Sequence, residues 1–177
     1  MYKRQLPLSL CILNSRARVG MEAPPVTVEV QLAGGLPCMN IVGLPEMAVR
    51  ESKDRVRGAL HNGHFQFPAG RITVNLAPAD LKKEGPSFDL PMALGMIAVR
   101  ELSLEQRNFG EFCVVGELAL NGAIRPVKGI LSIALEARRR GRARVGLCGS
   151  LRAWPSTPCR RAPRCRWAGR SPRPPPP

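Results

Sequence analysis

Histidine is nearly absent: His61 and His64 are the only two in 177 residues. They stand three apart at the end of a helical stretch, with no third ligand at a matching spacing, which argues against a zinc site. The six cysteines, Cys11, Cys38, Cys113, Cys148, Cys159 and Cys165, include no C-x-x-C pair. Reduced, partly buried thiols are the expectation. No apolar run reaches the length of a membrane span, and Leu6 to Leu13 is too short and interrupted for a signal peptide. A cytoplasmic protein without a membrane partner is expected. Also missing is any G-x-x-x-x-G-K-[ST] stretch, and no acidic strand end stands ready to hold magnesium. The backbone loop and lysine that cradle nucleotide phosphates are therefore not in this chain.

Negative charge is lacking from one region only. The last acidic residue is Glu136, and the positions after it hold twelve arginines. The formal net charge of +14 is thus almost wholly C-terminal, while residues 1–136 are close to neutral. From Gly149 onward Arg, Pro, Cys, Trp and Ser follow one another without apolar period, a composition that cannot bury enough to order itself. Residues 148–177 are read as a disordered Arg/Pro-rich tail resembling GC-rich DNA translated out of frame. Were the tail genuine, it would bind nucleic acid non-specifically and with steep salt dependence, and Trp154 and Trp167 could stack on bases. At the other end, Met1-Tyr2-Lys3-Arg4-Gln5 is similar to a translated transposon-adapter end, and residues 1–5 are read as a scar.

What is present between these ends is a globular pattern with 44% apolar residues. Residues 8–13 read as a strand, followed by a turn through Asn14 and Ser15. Residues 26–32 alternate apolar and polar, and 39–42 return as a strand expected to pair with them antiparallel. Gly43-Leu44-Pro45 opens a helix with Val49, Val56 and Leu60 facing inward and Gly63 as its stop. Glu46/Arg50 and Glu51/Arg55 are spaced as i,i+4 ion pairs. Residues 71–76 alternate again, and 112–120 read as one strand turning through Asn121-Gly122 into a hairpin. A last helix covers Ile130, Ala134 and Leu135, and residues 143–147 allow one more strand. This order predicts an α+β domain over residues 6–147, a two-layer sandwich with a mixed sheet and about three helices.

The stretch from Lys82 to Leu94 organises the rest. It passes from a charged Gly-Pro turn into an apolar helix, with Ser87 where an N-cap is expected and Asp89 in the first turn. Leu90, Leu94 and Ile97 supply the stripe, and the helix is expected to run to about Arg100. Asp80, Glu84 and Asp89 lie close in sequence, where solvation, capping and pairing with Lys82 or Lys83 are weighed against a metal or acid/base role. Arg50, Lys53, Arg55 and Arg57 give the preceding helix a cationic bias. It is read as a solvated face, with a phosphate contact or an interface as the alternative.

Several of these segments carry a resemblance. The runs 22–30, 41–46, 72–91 and 115–122 are similar, in order, to the N-terminal domain of the magnesium-chelatase-like AAA+ ATPases, the YifB/ComM family. The likeness covers roughly residues 8–142. It implies a fold similar to the proteolytic domain of Lon and to the second domain of a small-subunit ribosomal protein. It also implies a missing AAA+ module that binds ATP and magnesium, this chain itself binding no cofactor. Competence-associated members are DNA branch-migration helicases in natural transformation, so DNA is an implied partner of the intact protein. Lon's nucleophile lies in a Gly-Pro-Ser segment like Gly85-Pro86-Ser87, and its base is a lysine in the next helix. Here that position looks like Leu131, which cannot be a base, and Lys128 lies three residues earlier. A non-catalytic accessory domain is therefore expected, present as a fragment. The alternatives are a Lon-like serine peptidase using Ser87 with Lys128, and a stand-alone nucleic-acid binder acting through the tail.

Overall fold

The computed structural model describes residues 9–100, 109, 112–139 and 144–146. Residues 1–5, the tail at 148–177 and both tryptophans lie outside the described residues.

Strands β1 (Ser9–Arg16), β2 (Pro25–Ala33), β3 (Cys38–Val42), β4 (Arg71–Ala77), β5 (Phe112–Val114) and β8 (Arg144–Gly146) form one mixed sheet in the order β3-β4-β2-β1-β5-β8. A two-stranded ribbon, β6 (Glu117–Leu118) with β7 (Ile124–Arg125), stands apart. The helices are α1 (Met47–Arg50), α2 (Ser52–Asn62), α3 (Asp89–Ala98) and α4 (Ile130–Arg139), with a 3-10 turn at Pro86–Phe88. The α+β arrangement with a mixed sheet is the one expected.

Alternation builds the inner face. Val26, Val28 and Val30 of β2 are buried, as are Ile72, Val74 and Leu76 of β4 and Cys11 and Leu13 of β1. Helix α3 lies over them. All ten of its residues are buried, so it is a central helix, packed on every side, where the sequence showed only a stripe. Gly95 lets it sit this close, since a Cβ there would stand 2.4 Å from Val30 Cγ2. Helix α2 adds Val56, Ala59 and Leu60 to the same core. On β5 the alternation splits: Val114 joins this core, while Cys113 packs with Ile133 and Ala137 of α4. Helix α4 thus covers the opposite face at the β5 end. Arg16, buried at the end of β1, ties it there by donating to the Ala23 carbonyl and approaching Glu136 at 3.8 Å.

Four local expectations are corrected. Strand β3 does not pair with β2. It runs parallel to β4, from Cys38 opposite Arg71 to Val42 opposite Asn75, and β4 takes the place beside β2. The link through residues 34–37 is long enough to pass one strand position, about 9–10 Å, which leaves the place beside β2 to β4. The turn placed at Asn14 and Ser15 is strand, since both pair with β2 opposite Thr27 and Val26. The helix opened by Pro45 is two pieces, parted at Glu51. The run 112–120 breaks at Val115-Gly116, where the Gly116 carbonyl accepts from Leu90 and its amide donates to Ser87. The Asn121-Gly122 hairpin forms as expected, with Gly122 at φ +82°.

Candidate functional site

Gly85, at φ +74°, turns the chain into the 3-10 turn, a conformation glycine adopts without strain. Ser87 lies inside that turn and is half-buried. It is not the N-cap of α3. The cap residue is Phe88, and no side chain caps either the turn or the helix. The backbone does the work instead, through the paired Ser87–Gly116 and Leu90–Gly116 bonds. Lys128 is exposed in a turn before α4, and Leu131 on α4 is 70% exposed.

The polar centre beside Ser87 is Asp89. Its side chain is fully buried at the start of α3. Arg55 meets it as a fork, Nε to Oδ2 at 2.7 Å and Nη2 to Oδ1 at 3.2 Å. The Ser52 hydroxyl donates to Oδ1, and the Leu118 amide donates to Oδ2 at 3.3 Å. Arg55 also donates to the Ala48 carbonyl at 2.8 Å and to Ser52 Oγ at 3.0 Å. One carboxylate therefore joins α2, α3 and the β6 ribbon. Burial pushes the Asp89 carboxyl up, while Arg55, Ser52 and Leu118 pull against it. Arg55 is pushed up, first by its hydrogen bond to Asp89. Arg55 keeps 24% of its surface exposed, so its bond to Asp89 outweighs the lowering by burial, while for the wholly buried Asp89 burial outweighs its partners.

The other candidates are dispersed. Asp80 and Glu84 are exposed, and Glu84 lies 3.4 Å from Lys82, which also pairs with Glu46. Asp89 does not share their solvent, so the three carboxylates form no common site. Lys83, one position on, is buried and donates to the Pro78 carbonyl, and burial holds its amine below the usual lysine range. His61 and His64 are exposed on an open cleft of about 520 Å³ lined also by Arg57, Phe65, Gln66 and Phe67. Among the described residues no three His, Cys, Asp or Glu side chains come together to hold a metal. Of the cationic face, Arg50 and Arg57 are exposed, with the Arg57 guanidinium 5.1 Å from the Phe67 ring centre. Arg55 leaves that face and turns inward, which corrects the solvated reading for this residue.

Sequence reasoning missed the Ser52 bond to Asp89, the tie made by Arg16 and the burial of Lys83. The Arg55–Asp89 pair spans 34 positions, and no periodicity signals it. The nearby Glu51, 3.8 Å from Arg55, was the legible partner and is the lesser one.

Residues 28–148 match the family model of subunit ChlI of Mg-chelatase. Over 135 residues the chain is 51% identical to the protein YifB of Salmonella typhimurium, which covers 76% of this chain and 26% of that protein. It is similarly 51% identical over 132 residues to the competence protein ComM of Haemophilus influenzae, 75% of this chain and 26% of ComM. The protein Rv2897c of Mycobacterium tuberculosis is 37% identical over 122 residues, 69% of this chain and 24% of that protein. The chain thus spans about a quarter of the length of the curated relatives it matches.

Proposed function

The chain belongs to the family of the ChlI subunit of Mg-chelatase, and from that premise we propose that it is a non-catalytic accessory domain of a magnesium-chelatase-like AAA+ ATPase. Its task is to pack against the ATPase module and orient it. ATP, magnesium and DNA then belong to the assembled protein, whose activity is DNA branch migration of the kind associated with natural transformation.

The observation that carries the non-catalytic reading is the position of the amine. A serine becomes a nucleophile when a neutral, desolvated base lies within hydrogen-bond reach. Lys128 is exposed, and the helix position that follows it carries the exposed Leu131. Lys83 is buried in the neighbouring loop, but its amine is engaged by Pro78. A packing role is supported by Leu131 and Leu135, exposed one helical turn apart on α4. A serine-directed fluorophosphonate tests the first half of the proposal. No adduct at Ser87 is expected after prolonged exposure at neutral and alkaline pH. A Ser87 adduct that Lys128→Met abolishes would establish the peptidase instead.

A further inference from the structure

Edge strands in natural sheets are guarded by charge, proline, a bulge or a covering segment. Strand β3 has none of these among the described residues. Its sequence is Cys-Met-Asn-Ile-Val, its register with β4 is unbroken over five residues, and its other edge pairs with no described strand. Cys38, Asn40 and Val42 are exposed, while Met39 and Ile41 pack against the core. Exposed apolar residues continue at both ends, Leu36 at 86% and Leu44 at 56%.

We propose that this edge pairs with β3 of a second copy of the chain, antiparallel about a twofold axis at Asn40. The strand is self-complementary in that register. Cys38 comes opposite Val42 on the open face and Met39 opposite Ile41 on the core side, and the Asn40 amides meet on the axis. No charge faces a like charge, which is what usually forbids a strand from pairing with itself. Main-chain bonds supply the attraction and side-chain matching the register. The contact is short beside the roughly 1,200–2,000 Å² of a standard stable interface, so dimerisation is concentration-dependent. The pairing goes beyond the accessory role and does not depend on it.

The test uses the full chain. Opposed Cα atoms in an antiparallel pair are about 4.5–5.5 Å apart, within the span a disulfide bridges. Mixed 14N and 15N preparations of the Val42→Cys variant, mildly oxidised and digested, are expected to give an isotope-mixed peptide linking Cys38 to position 42. In sedimentation velocity the unmodified chain is expected to shift from monomer toward dimer as concentration rises. Asn40→Lys, which places two charges on the axis at an exposed position, is expected to remove both the shift and the link. A chain that stays monomeric, a dimer indifferent to Asn40→Lys, or links only between other positions would each overturn the proposal. The first would leave the edge to an extended segment of a different protein.

Discussion

Asp89 is the one fully buried carboxylate among the described residues, and it is bonded by Arg55, Ser52 and Leu118. Removing one partner from a buried ion pair costs about 3–5 kcal/mol when the other charge stays buried. Arg55 keeps part of its surface in water, so Asp89→Asn is expected near the lower end, about 3 kcal/mol, read by urea denaturation. The pH dependence has a definite sign. The folded carboxyl lies above its unfolded value of roughly 3.9, so the stability it contributes is full below that value and is lost as pH rises through the folded value. Lys83 runs the other way. Its folded amine lies below the unfolded value near 10.4, so its contribution is full above that and is lost as pH falls through the folded value. Asp89→Asn should remove a fall in stability with rising pH above the unfolded carboxyl value, and Lys83→Met a rise in stability with rising pH below the unfolded amine value, each leaving the other in place. Ser87 is the quiet neighbour. Since it caps no helix, Ser87→Ala is expected to shift stability by less than about 0.5 kcal/mol.

At the scale of elements, α3 on β2 is the contact the rest depends on. An exposed helical glycine would gain up to about 1 kcal/mol on changing to alanine. At Gly95 the added Cβ meets Val30 Cγ2 at 2.4 Å and Val30 Cβ at 3.0 Å, so overpacking at about 1–3 kcal/mol outweighs that gain. Gly95→Ala should lower the thermal midpoint, and Gly95→Ala with Val30→Ala should recover part of it. A double mutant no better than the single one would show that the helix and strand do not press on each other there. Elements whose patterning is local were legible in the sequence: the alternation of β2 and β4, the Asn121-Gly122 hairpin, and the inward face of α2. Pairing was not. Strand β3 reads as the return strand of β2 because nothing in Met39 to Val42 says which neighbour it takes. The choice of β4 is made by tertiary packing of Met39 and Ile41. Ser87 reads as an N-cap because its residue type and position suit one, and the 3-10 turn that displaces it depends on backbone bonds to Gly116, 29 positions away.

For the whole molecule, motif order located the family while burial located the chemistry. The four segments that carried the resemblance fall on β2, the end of β3, the span from β4 into α3, and the start of the β6 ribbon. The pieces that bring Asp89, Ser52, Arg55 and Leu118 together lie in two of those segments and in α2 between them. No helix among the described residues is long and apolar enough to cross a membrane, so the exposed leucines of α4 are not accounted for by a spanning segment.

The most direct measurement is a calorimetric titration of the chain into the ATPase segment of a ComM-type relative lacking its own N-terminal domain. It should be run at two salt concentrations, so that attraction through the arginine-rich C-terminus is separated from packing. Saturable binding that persists at the higher salt and is weakened at least tenfold by Leu131→Asp is the predicted result, with all ATP turnover belonging to the ATPase segment. No binding at either salt, together with peptide hydrolysis by the chain alone that Ser87→Ala abolishes, would contradict the account.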